Sequence, residues 1–162
     1  MNKRTVLSGL AAALGASVML LAGMPSSASA AEAGTQAAGR QFKNVQTGLC
    51  LDSDAKGNAY TKSCGNDNPY QRWSLVWKSD GYVLRNEKTL RCLGVGGGDA
   101  VSTEQCSNYP PSSHQWTWEH LDGERLILKS AANGRALDSN HEGQLYTSPY
   151  GTGNLYMQWW QW

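Results

Sequence analysis

From residue 40 onward the apolar positions come in short runs such as "SLVW", "YVLRN" and "RLILKS", separated by Gly, Asn, Asp and Pro. No run sustains the 3.6-residue period of an amphipathic helix, and short runs divided by turn residues predict an all-β domain. Ahead of it, residues 31–39, "AEAGTQAAG", are small and unpatterned and read as a flexible leader. The first thirty residues differ again. Lys3 and Arg4 precede an apolar run from Val6 to Gly23, and Ala28-Ser29-Ala30 supplies a small-residue cleavage pattern. That order predicts a secretory signal peptide over 1–30, removed on export.

The apolar runs recur at a fixed period. Cys50-Leu51-Asp52, Cys92-Leu93-Gly94 and Ala136-Leu137-Asp138 align at intervals of 42 and 44 residues. Eight positions upstream stand Phe42, Leu84 and Leu128, and six upstream stand Asn44, Asn86 and Ser130. Fourteen positions downstream stand Cys64, Cys106 and Tyr150. Each unit closes on tryptophan, with "QRWSL" at 71–75, "HQWTW" at 114–118 and "QWWQW" at 158–162. The chain therefore divides into three repeats, about 40–81, 82–123 and 124–162, each with room for some four short strands. A unit of that size cannot bury its own apolar face, so the three are expected to share one core. Aligned on Gln71, His114 and Gln158, strand alternation points Trp73, Trp116 and Trp160 inward together with Leu75, Trp118 and Trp162. The same alignment turns Trp159 toward solvent. An indole buried this way removes on the order of 200 Å² from water, roughly 5 kcal/mol before entropy is charged against it.

The four cysteines all lie after the leader, and an even number in an exported chain predicts two disulfides. Three pairings are open, and the repeat favours Cys50–Cys64 and Cys92–Cys106, which occupy matching places in units one and two. Each closes a loop of about fifteen residues, for which chain entropy gives roughly 3 kcal/mol. The third unit has Ala136 and Tyr150 instead, a small residue facing a large one. The spacing lacks the short C-x-x-C knuckles of zinc sites.

Charge narrows the partners. Removing Lys3 and Arg4 from 14 basic residues leaves 12 against 13 acidic ones, a mature net charge of −1. That balance gives no reason to expect nucleic acid or membrane insertion. His114, His120 and His141 show no metal-ligand spacing, and no G-x-S-x-G or phosphate loop is present. Asp52 and Asp138 sit in different repeats, which separates them beyond the reach of a glycosidase pair. No enzyme, metal or cofactor is expected, and the product is expected to be a secreted monomer.

The combination of "TGLCLD" with "YQRW", "LRCLG" with "HQW", and "GRALD" with "MQWW" resembles the ricin B-type lectin family over about residues 40–162. The resemblance implies a β-trefoil, a six-stranded barrel capped by three hairpins. It also implies binding of galactose-type or related sugars and polysaccharides in up to three shallow pockets, without a cofactor. The family's carboxylate, two residues after the first Cys, falls on Asp52 and Asp138, whereas unit two has Gly94 there and His114 in its motif, so its pocket is expected to be dead. A carboxylate accepts sugar hydroxyls, an amide both donates and accepts, and a ring covers the C–H face. The aromatics here stand two residues earlier than in the family, at Tyr60 and Tyr146, and nearby amides are Asn68 and Asn154. Gln71 and Gln158 complete the carbohydrate-binding set, bracing the strand or the carboxylate. A β-trefoil with degenerate pockets that works as a protein-interaction module, a protease inhibitor or an accessory toxin subunit, is the alternative.

Overall fold

The computed structural model describes residues 39–162, so the signal peptide expected over 1–30 and nearly all of the leader lie outside the described residues. Each third of the described chain forms four short strands. The first holds β1 (Phe42–Asn44), β2 (Cys50–Ser53), β3 (Ala59–Lys62) and β4 (Trp73–Lys78). The second holds β5 (Gly81–Asn86), β6 (Arg91–Val95), β7 (Val101–Gln105) and β8 (Trp116–His120). The third holds β9 (Arg125–Ser130), β10 (Ala136–Ser139), β11 (Leu145–Ser148) and β12 (Gln158–Gln161). A single 3-10 turn, Pro69–Gln71, Ser112–His114 or Leu155–Met157, leads into each closing strand.

Six strands close on themselves. β4 pairs with β5, β5 with β8, β8 with β9, β9 with β12, and β12 with β1. A bridge between Arg40 and Trp73 returns the ring to β4. The six strands thus join into a barrel. The other six strands form the hairpins β2–β3, β6–β7 and β10–β11. Bridges Asn58–Ser102, Tyr60–Gln144 and Ala100–Tyr146 tie these hairpins into one cap. Gly57 and Gly143 make that meeting possible. At φ 101° and 82° they turn their hairpins, and a Cβ on either would stand 2.8 and 2.6 Å from the carbonyl oxygens of Thr103 and Thr61. The architecture is a β-trefoil.

The shared core follows the repeat. Phe42, Leu84 and Leu128, then Leu51, Leu93 and Leu137, are fully buried in one cluster with three tryptophans. Those tryptophans are Trp73, Trp116 and Trp159. Each donates its indole N–H at 3.1 Å to the carbonyl of Leu51, Leu93 or Leu137, so the polar edge is satisfied inside the core. Trp160, expected inside, is 39% exposed and lies beside the Arg125 guanidinium, while Trp162 is half exposed. Alternation holds in β12 but in the opposite phase, because a slip of one residue exchanges the two faces of a strand. The cause is a one-residue difference in loop length. Nine positions separate Cys64 from Trp73 and Tyr150 from Trp159, against ten between Cys106 and Trp116. An alignment anchored on Gln158 carries the longer spacing into a unit that lacks it.

Both disulfides form as expected, Cys50–Cys64 and Cys92–Cys106. In the third unit Ala136 is covered by Ile127 and Met157 rather than by Tyr150. Tyr150 stays 41% exposed, donating its hydroxyl to Glu119 beneath the Lys129 ammonium.

Candidate functional site

The first unit builds a carboxylate into a fixed amide frame. Asp52 and Tyr60 stand directly opposite in the β2–β3 pair, which places both side chains on one face. Asn68 caps the 3-10 turn by accepting the Tyr70 N–H at 3.1 Å, and its own amide donates to Asp52 Oδ2 at 3.2 Å. Gln71, at the end of that turn, donates to the same oxygen at 2.9 Å. The Gln71 amide is itself oriented on every side. Its oxygen accepts from Gln41 at 3.0 Å and from the Gly65 N–H at 2.9 Å, and its nitrogen also reaches the Ser63 carbonyl at 3.0 Å. Asp52 is 2% exposed, and burial raises its carboxyl above the ordinary value against the opposing pull of Gln71, the Ser53 backbone, Lys62 and Asn68. Burial first, and the Asp52 charge second, raise the Tyr60 phenol.

The third unit repeats the placement with a different backing. Asp138 faces Tyr146 across β10–β11, and Asn154 caps its turn by accepting the Tyr156 N–H at 3.0 Å. Asp138, Tyr146 and Asn154 line one cavity of about 350 Å³, joined by His141 and Tyr156, whose rings meet edge to face at 5.6 Å. In the place of Gln71 stands Met157, packed on Ala136 and Ile127. Among the described residues no amide corresponds to that of Gln71 there, and Asp138 Oδ1 is buried without a hydrogen-bond partner. Burial raises the Asp138 carboxyl, offset by the Ser148 hydroxyl and the Ser139 N–H.

Gln158 does not meet Asp138. Its amide donates to the Thr152 carbonyl at 2.7 Å and its oxygen accepts from Arg125 at 3.1 Å. It occupies the place of Arg72 and Gln115, the consequence of the same one-residue slip that misplaces Trp160. In the second unit, Gly94 and the buried His114 fit as a pair. A Cβ on Gly94 would lie 2.2 Å from His114 Cδ2, so the imidazole fills the space the carboxylate has elsewhere. His114 Nε2 lies 3.3 Å from the Glu104 carboxylate, and the residue opposite Gly94 is Ser102 rather than a tyrosine.

Sequence reasoning missed Tyr70 and Tyr156, and with them His141. A constant offset of 86 relates Asp52 to Asp138, Tyr60 to Tyr146 and Asn68 to Asn154, and the same offset pairs Tyr70 with Tyr156 and Trp73 with Trp159. His141 has Ala55 as its counterpart and left no repeat signal.

A model of the ricin-type beta-trefoil lectin domain matches residues 38–159. The chain belongs to that family. The designed threefold-symmetric protein ThreeFoil, known from its crystal structure, is similar at 23% identity and a TM-score of 0.67, over 75% of this chain and 96% of that one. At that identity the likeness shows the fold alone. No curated protein matches the chain. The ricin-type domain is a carbohydrate-binding module, and in this chain repeats one and three share one Asp–Tyr–Asn placement while in repeat two His114 takes the space of the carboxylate.

Proposed function

We propose that this ricin-type protein is a secreted, non-catalytic lectin that binds glycans or polysaccharides through pockets on repeats one and three. The observation that carries it is the convergence of Asp138, Tyr146 and Asn154 on one shallow cavity, with Asp52, Tyr60 and Asn68 at the same places in repeat one. A buried carboxylate beside a tyrosine offers an acceptor for hydroxyls and a ring for the C–H face. The amides around Asp52 hold the acceptor still rather than deliver or remove a proton, which suits binding and not acid–base chemistry. Two disulfides fit an oxidising compartment and so support export. Shallow pockets bury little of a sugar, so each site is weak, and two on one rigid body gain by avidity on a polymeric glycan.

The test is a broad panel of glycans and polysaccharides offered to the mature protein and to the Asp52→Ala, Asp138→Ala double variant. Binding that disappears in the double variant supports the proposal. Silence across the panel returns the protein to the interaction-module class, and binding that survives the double change places the sugar elsewhere.

A further inference from the structure

The second repeat, which has no carboxylate pocket, carries an open groove on the outside of the barrel. On the β4–β5 hairpin Trp73, Leu75 and Leu84 face the core, so Val76, Lys78, Val83 and Arg85 face outward. With the turn before β6 and the segment after β7, they line a cavity of about 620 Å³ against the Cys92–Cys106 disulfide. Three cations, Lys78, Arg85 and Arg91, line it, and no carboxylate does. Arg91 is held by the Thr103 carbonyl, which accepts from Nε at 3.0 Å and Nη2 at 2.8 Å. Among the described residues neither Lys78 nor Arg85 forms an ion pair.

The pseudo-threefold supplies a control, because repeat three fills the equivalent place with its own side chains. In repeat three, Lys129 stands where Arg85 does, and Glu119 pairs with it at 3.0 Å. Tyr150, in the place of Cys106, lies over that ammonium at 4.6 Å and donates to Glu119. In repeat one, Gln41 stands where Val83 does and reaches across to the Gly65 carbonyl at 3.0 Å, just past Cys64. Among the described residues, repeat three neutralises its cation at this place, whereas in repeat two neither Lys78 nor Arg85 is paired.

We propose that this groove binds the oxyanion group of an acidic saccharide, a uronate carboxylate or a sulfate ester. An uncompensated cationic cluster favours an anion, and a guanidinium fork matches both groups in two-point contact. Val76 and Leu90, 42% and 55% exposed, present apolar surface to the C–H face of the attached ring. A peptide would bind a site like this by strand addition. For that β5 offers no edge, since it pairs with β4 on one side and with β8 and β6 on the other. Hexaglutamate tests the peptide reading directly. The saccharide part rests on the lectin function proposed above. The anion part does not.

The experiment titrates tetragalacturonate, a sulfated galactose tetrasaccharide, neutral galactotetraose and hexaglutamate into the mature protein by calorimetry, at low and high salt. The same titrations are run on Lys78→Gln, Arg85→Gln and on Asp52→Ala, Asp138→Ala. The expected result is that at least one acidic saccharide binds, that its affinity has a salt-sensitive component lost about tenfold or more in the lysine–arginine variant, and that this salt-sensitive component persists when the two pockets are removed in the aspartate variant. The uronate and sulfate arms then name the oxyanion. Absence of binding by both acidic saccharides, indifference to the lysine–arginine change, equal binding of neutral galactotetraose at this groove, or equal displacement by hexaglutamate overturns the proposal. Loss of neutral-glycan binding in the aspartate variant is read separately and bears only on the two pockets.

Discussion

Repeats one and three place the same three residue types on the same elements, yet they hold them differently. In repeat one a glutamine at the end of the 3-10 turn binds the carboxylate and is itself gripped by Gln41 and the Gly65 backbone. In repeat three a methionine takes that position and spends its surface on Ala136 and Ile127, in the unit that has no disulfide. Hairpin register, common to both, decides where the carboxylate stands. The residue two before the buried tryptophan decides whether it is braced. Repeat three exchanges bracing for packing.

The largest effects test what the two repeats share. Trp73→Ala and Trp159→Ala are each expected to cost about 3–5 kcal/mol in denaturant unfolding, by leaving a cavity and an orphaned leucine carbonyl. Trp160→Ala is expected to cost less than about 1 kcal/mol, since it removes an exposed ring and one cation–π contact. A loss at Trp160 equal to that at Trp159 would break the comparison at its register. The next effects exchange the residues that differ. Gln71→Met is expected to cost about 2–3 kcal/mol, because the Asp52 carboxylate, the Gln41 amide and the Gly65 N–H lose a buried partner together. The reverse change, Met157→Gln, is expected to stay within about 1 kcal/mol of neutral, since a donor gained for Asp138 offsets packing lost on Ala136.

The smallest effects are in titration. Burial raises both carboxyls above the ordinary aspartate value, so the acceptor that a sugar needs is lost, as pH falls, sooner than an exposed aspartate would lose it. In linkage terms the folded state binds these protons more tightly than the unfolded chain. Each group therefore favours folding below the ordinary value and weakens it as pH rises from there to the raised value. Carboxyl-carbon NMR is expected to show Gln71→Met moving Asp52 further up and Met157→Gln moving Asp138 down. No movement in either would mean the amide does not stabilise the charge.

How far the sequence reached divides along the same line. The three units, their shared core and both disulfides were legible from the period, which Phe42, Leu84 and Leu128 mark, while the barrel and its cap came with the resemblance to the ricin B-type family. For Asp52, Asp138, Tyr60 and Tyr146 the role came with the resemblance, while their recurring places were legible from the repeat, as each sits in a hairpin of constant length. The end of the chain was not. Gln158 beside Trp159 and Trp160 offers two registers, and the motif glutamine is an attractive but wrong anchor when the loop before it varies by one residue. The alternation of a strand says which residues share a face and leaves open which face is inside. The offset of 86 that relates Trp73 to Trp159 carries that information, and the Leu137 carbonyl accepting the Trp159 indole N–H shows it. The filling of repeat two by His114 and of repeat three by Tyr150 depends on contacts between strands far apart in sequence, which no local pattern announces.

The most direct test of the account is a count of sites. Calorimetric titration of the mature protein with the best neutral glycan from the panel is expected to give two sites, one in Asp52→Ala, one in Asp138→Ala and none when the two changes are combined, with His114→Ala leaving the count at two. A single site that either aspartate change leaves intact, or a third that vanishes with His114, would contradict the assignment of the pockets to repeats one and three.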